Sequence, residues 1–147
     1  YGMQCKNKFV ADWFEFNLNI NNILTALTCR KYGWDIKSAI VGDNVVAETI
    51  RNSVSARDFN LKAEIDYFDA LVSISETANL LDREHRIDAL KWNWLEENTF
   101  FSSFSIEKVL SFWLRCELMH RWDNLSMEDG AEIFRQMIND LKKDVKF

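Results

Sequence analysis

Proline is absent from the 147 residues and glycine occurs only four times, so the usual punctuation of loops and hairpins is almost missing. A sheet protein with so few turn residues would be unusual; long helices joined by short polar links fit better. Long apolar runs are missing too. Charged or amide residues interrupt every hydrophobic stretch well short of the roughly 18–20 residues that cross a bilayer, so no direct membrane insertion is expected. Basic charge is scarce: 18 Lys and Arg stand against 23 Asp and Glu, a net charge of −5. A phosphate-backbone footprint needs a basic stripe or patch, and nucleic acid is therefore not an expected partner. Cys5, Cys29 and Cys116 are odd in number, far apart and without CxxC or zinc spacing. Cys29 and Cys116 sit among apolar residues, which suits buried free thiols in a reducing, cytoplasmic compartment.

What is present is enough for one ordinary core, at 48% hydrophobic and 14% aromatic content. The expected fold is all-α, a multi-helix bundle with a long central helix, forming a single helical domain over residues 1–147. The opening Tyr1, with no initiator Met or signal-like segment, leads to the expectation of a C-terminal piece of a longer protein.

The spacing predicts a first helix from about Cys5 to Tyr32, stopped by Gly33. Phe9, Trp13, Phe16, Ile20, Ile23 and Leu27 form one stripe; Val10, Phe14, Leu18 and Cys29 form a second, largely opposite. A helix apolar on two sides is buried on two sides, which makes this the central helix. Shorter helices are expected over 35–41, 44–52 and 61–72, with turns at Gly42-Asp43 and Ser53–Arg57. Ser73 and Glu76 match a capping box that would open a long helix through Leu80, Ile87, Leu90 and Trp94 to near Phe101. Ser105 reads as the N-cap of a helix from Ile106 to about Trp122. A last helix is expected after Ser126, with Phe134, Met137, Ile138, Leu141 and Val145 on one side and Lys142, Lys143 and Lys146 as its cationic last turn.

The sharpest enzymatic reading is a carboxylate-bridged di-metal site, which uses a Glu-x-x-His from each of two helices. Glu117-Leu118-Met119-His120 matches; Asp82-Arg83-Glu84-His85 is a distorted second copy. By spacing, Glu117 and His120 fall on the apolar sector of their helix, whereas His85 lies opposite Ile87 and Leu90. The two halves therefore face different ways, and no metal and no cofactor are expected. No Gly-rich phosphate loop, HExxH or Gly-x-Ser-x-Gly occurs, so no catalytic residues are assigned. A carboxylate on a core face must be paired, hydrogen-bonded or protonated. Glu117 is accordingly expected to be a buried polar clip, with His120 or Arg30 as its partner. Asn22, in an Asn-rich stretch with Asn17, Asn19 and Asn21, is expected to tie the first helix to a neighbour.

Two segments resemble a known family. Residues 16–33 (FNLNINNILTALTCRKYG) are similar to a signature helix of the C subunit, also called d, of V/A-type ATPases, matching at Asn22, Ile23, Leu24, Arg30 and Gly33. Residues 104–125 (FSIEKVLSFWLRCELMHRWDNL) resemble that family's late helix at Ser105, Val109, Leu110, Leu114, Glu117 and Leu125. The whole chain also resembles a bacterial family encoded beside V-type ATP synthase subunits. It departs from the C subunit in having Cys116 before Glu117, in lacking a proline ahead of that helix, and in being much shorter. The resemblance implies a non-catalytic accessory or central-stalk component of a V/A-type ATP synthase. Its expected partners are other V-type ATPase subunits, the rotor shaft or the membrane ring, bound through protein–protein contacts. Two alternatives stand beside it: a generic helical protein-interaction domain, and a metal-dependent helical-bundle enzyme centred on Glu117 and His120.

Overall fold

The structure, a computed structural model, describes residues 2–123 together with 130, 134–136 and 138. The fold is all-α, and no strand occurs among the described residues. A 3₁₀ turn at Gly2–Gln4 precedes helices α1 (Lys8–Tyr32), α2 (Ile36–Ala39), α3 (Val45–Asn52), α4 (Phe68–Ser75), α5 (Leu80–Asn98) and α6 (Ile106–Asp123). The chain divides into two compact units, Tyr1–Asn98 and Thr99–Phe147. Most of the expected last helix lies outside the described residues, including Met137, Leu141, Val145 and the three lysines; residues 134–136 and 138 are helical.

The first unit is organised around α1. Its start falls three residues later than the spacing predicts, because the Asn7 side chain accepts the Val10 N–H at 3.1 Å and caps the helix there. Its end is where glycine places it. Gly33 adopts φ 71°, its N–H donates to the Arg30 carbonyl, and the Trp34 N–H donates to the Cys29 carbonyl at 2.8 Å. That pairing is a Schellman motif, which requires a left-handed residue and so favours glycine.

Burial on α1 follows the first stripe closely. Phe9, Phe16, Ile20 and Ile23 are buried, and Trp13 and Leu27 pack against the core from partly buried positions. The second stripe is weaker: Cys29 is buried, Val10 and Leu18 are half-buried and Phe14 is exposed. Asn19, Ile20, Asn22, Ile23 and Leu24 are all buried. Successive helical residues point about 100° apart, so this run is enclosed around most of the circumference. α1 is a central helix in that physical sense. Near its start it meets α5 through aromatic rings: Trp94 lies 5.7 Å from Phe9, 5.5 Å from Trp13 and 5.0 Å from Phe16, stacked on the last. Each such ring pair adds about 0.5–1.5 kcal/mol beyond the area it buries.

Two expected boundaries are corrected. The segment 61–67 is not helical; residues 53–67 run through successive turns before α4 begins at Phe68. These turns bury Phe59, Leu61 and Ile65, and Phe59 and Asn60 hold left-handed φ of 51° and 57°. Apolar anchors drawn into the core, Leu61 and Ile65 within the segment itself, outweigh its helical preference, and the left-handed pair Phe59 and Asn60 turns the chain just before it. Ser73 and Glu76 do not form a capping box either, since Ser73 lies inside α4 and Glu76 is its C-cap. The cap of α5 is Asn79, whose side-chain oxygen accepts the N–H groups of Leu81 (2.9 Å) and Asp82 (3.3 Å). The Ser73 hydroxyl instead accepts from Arg86 at 2.8 Å, and Arg86 also donates to Thr77, fastening α5 to the end of α4.

In the second unit, α6 starts where Ser105 predicts, with the Ser105 hydroxyl accepting the Lys108 N–H at 3.3 Å. Thr99 and Ser111 are fully buried, and the Thr99 hydroxyl donates to the Ser111 hydroxyl at 3.3 Å. Lys108 Nζ reaches the Thr99 carbonyl at 3.1 Å. Among the described residues no helix is long and apolar enough to cross a membrane.

Candidate functional site

The expected polar clips separate into two groups. Asn22 is 3% exposed and uses both ends of its amide on a single residue. Its NH₂ donates to the Val41 carbonyl at 2.8 Å and its oxygen accepts the Val41 N–H at 3.1 Å. α1 is thereby tied to the chain leaving α2. The neighbouring asparagines act in the same manner. Asn44, the N-cap of α3, donates to Asn19 at 2.7 Å and to Glu15 at 3.2 Å while its oxygen caps Ala47. Asn17 closes on its own helix at the Trp13 carbonyl, 2.7 Å away. Beside this network Tyr67 packs edge-on against Phe16. Burial raises the Tyr67 pKa above the ordinary tyrosine value; the Asn19 amide opposes the shift and the Glu15 carboxylate adds to it.

Arg30, expected as a possible partner of Glu117, has its partners within the first unit. Its guanidinium serves the 53–67 turns, donating to the carbonyls of Val54 (3.1 Å), Ala56 (2.7 Å) and Arg57 (2.5 Å) and lying 3.7 Å from the centre of the Phe59 ring. Desolvation lowers its pKa from the ordinary arginine value and nearby Asp58 opposes the change. Three carbonyls converging on one planar fork is an arrangement suited to arginine.

Glu117 and His120 are both exposed, which corrects the expectation of a buried clip. The reason is rotational. α6 turns Ser111 inward; Trp113 follows two residues later, about 200° round the helix, and Glu117 about 120° off the buried line. The apolar periodicity of α6 marks a real face, but that face is not the one that is buried. Among the described residues no group of three or more His, Cys, Asp or Glu side chains is gathered to hold a metal ion. Glu117→Ala is expected to move unfolding free energy by no more than about 0.5 kcal/mol, the usual range for an exposed substitution. Urea denaturation measures it, and a loss of about 2 kcal/mol or more would restore a buried, paired Glu117.

The outward face is the candidate site. Phe100, Phe101, Phe104, Ile106, Val109, Phe112 and Trp113 are all exposed, Phe101 at 92% and Trp113 at 55%. Ile106, Val109 and Trp113 repeat at three- and four-residue steps along α6, with Phe112 beside them. Phe100 and Phe101 form an edge-to-face pair, centroids 4.9 Å apart, and Phe104 holds a left-handed φ of 58° just before the helix. Sequence reasoning set the sector of α6 that holds Glu117, and Trp113 four residues before it, against the core, and did not single out the phenylalanines. Periodicity shows that side chains share a face without showing whether the chain's own core covers it.

Comparison with known proteins comes down to one family. The chain belongs to the family described as Protein of unknown function (DUF2764), which it matches over residues 1–145. No curated protein and no solved structure matches it.

Proposed function

We propose that this DUF2764 chain is a non-catalytic helical component of a multi-protein assembly, joined through the aromatic face of its second unit. The assembly in this reading is a V/A-type ATP synthase. The observation that carries it is the concentration of exposed large apolar side chains within residues 100–113. Exposed apolar groups scattered singly need no explanation, but a cluster of this kind marks an interaction surface. Its content of Phe and Trp suits the aromatic anchors that dominate binding energy at protein interfaces. The choice of assembly rests on the similarity of residues 16–33 and 104–125 to the C (d) subunit, the second of which carries much of this face. A subunit of that kind transmits force through shape. The Asn22 and Arg30 clips would supply the stiffness that this requires.

A photo-crosslinking amino acid placed at Phe112 in the native organism tests both parts, with Lys62 in the first unit as the comparison position. Adducts from Phe112 with central-stalk or ring subunits of the ATP synthase are the expected result. Phe112→Ser should reduce co-purification of those subunits roughly tenfold or more, as loss of a central anchor does. Adducts with unrelated proteins alone would replace the ATP synthase by a different assembly. Adducts from Lys62 but none from Phe112 would overturn the surface itself.

A further inference from the structure

A cavity of about 590 Å³ opens within the first unit, between the later turns of α1 and the first half of α5. Near Trp94 the two helices are closed by ring stacking, and towards Cys29 and Arg83 they leave a gap. Leu24 and Ile87 provide apolar walls, Trp34, 63% exposed, lines the cavity as well, and Cys29 is a buried member of the lining. Arg83 and Lys91 line the same space from α5, with Glu84 as the one acid among the lining residues. The Arg83 Nε is buried and has no hydrogen-bond partner among the described residues. Arg83 as a residue is half-buried and lines the cavity, and a guanidinium carries further N–H donors that suit an anionic group there.

We propose that this cavity binds a small organic anion with a flat apolar body. The acidic group meets Arg83, with Lys91 adding to the positive potential. The body lies between Leu24, Ile87 and Trp34, and the Thr25 hydroxyl is available as a further polar contact. The volume falls within the roughly 300–1,000 Å³ of small-molecule sites, whose lining is mostly apolar with a few placed polar groups. The site is independent of the aromatic face in the second unit, so either can stand without the other.

The probe is 8-anilinonaphthalene-1-sulfonate, titrated by fluorescence, with N-phenyl-1-naphthylamine as the same body without the acid. One sulfonate dye should bind per chain, and Arg83→Gln should raise its Kd roughly tenfold or more, the scale of a charge-assisted hydrogen bond. The neutral dye should bind Arg83→Gln as it binds the native chain, and Trp34→Leu should weaken both dyes. Because Arg83 has no acceptor to lose at Nε, the melting midpoint of Arg83→Gln should be unchanged or higher. Phe112→Ser should leave the titration unaltered. An Arg83→Gln variant that binds the sulfonate dye normally would overturn the proposal. So would one that melts well below the native chain, or dye binding abolished by Phe112→Ser instead.

Discussion

Arg30→Met is expected to cost the fold about 3 kcal/mol, with the damage concentrated in residues 53–67. Hydrogen bonds from a charged donor contribute about 1.5–3 kcal/mol each and a cation over an aromatic face about 0.5–2 kcal/mol, but such terms do not add fully. Arg30 is half-buried, and the carbonyls it leaves can partly turn to water, which lowers the sum. What remains is still a large share of a typical domain's 5–15 kcal/mol. Beside its buried anchors Phe59, Leu61 and Ile65, the segment is built of isolated turns such as Phe59 N–H to the Ala56 carbonyl and Leu61 N–H to the Asp58 carbonyl. Methionine keeps much of the aliphatic volume over Phe59, so the change tests the donors. Arg30→Lys should recover only part of the loss, because one ammonium cannot reach three carbonyls with the geometry of a planar fork. Urea unfolding gives the free energy, and amide exchange at Phe59, Leu61 and Ile65 gives the location. A loss under about 0.5 kcal/mol in Arg30→Met would show that the turns hold themselves.

The first helix was legible because its signals are local. Gly33 ends it with the one residue type that takes φ 71° without strain, and Phe16, Ile20 and Ile23 mark its buried side by their spacing. Where two local signals competed, reading by pattern chose the wrong one. Ser73 with Glu76 satisfies the capping-box pattern, yet the backbone there is already helical and Asn79 takes the role. The turns at 53–57 are tied to Arg30, more than twenty residues earlier, and no local pattern carries such a tie. α6 shows the physical limit most clearly: Ile106, Val109 and Trp113 share a face in the sequence, but an outward-facing stripe and a core-facing stripe have the same period. The Arg83 cavity joins α1 to α5 across a span in which neither helix alone shows anything unusual. Asn22 lay between these cases. An amide on an apolar stripe announced a tie, and only the fold could name Val41 as its partner.

Asn22 is also where chemistry can be changed with almost no change of shape. Asn22→Ala removes both hydrogen bonds to Val41 and opens a small void on a helix face that is 3% exposed, and it should cost about 2–4 kcal/mol. Asn22→Asp keeps the outline and reverses one half of the pairing. The oxygen that accepts the Val41 N–H survives, while a carboxylate oxygen replaces the NH₂ and faces the Val41 carbonyl, acceptor against acceptor. Burial and that carbonyl both disfavour the charged form, so the folded-state pKa of the introduced acid should stand above its unfolded value near 3.9. A raised pKa means that the folded state holds its proton more tightly. The protonated acid can donate to the Val41 carbonyl and restore the second bond. The variant should therefore be closest to the native protein below about pH 4 and lose stability as pH rises through the folded-state pKa, with the full deficit at neutral pH. Thermal melts of the native chain and of Asn22→Asp across that range, compared as differences, isolate this contribution from every other titrating group. A deficit that does not change with pH would show that the Asn22 amide does not donate to Val41.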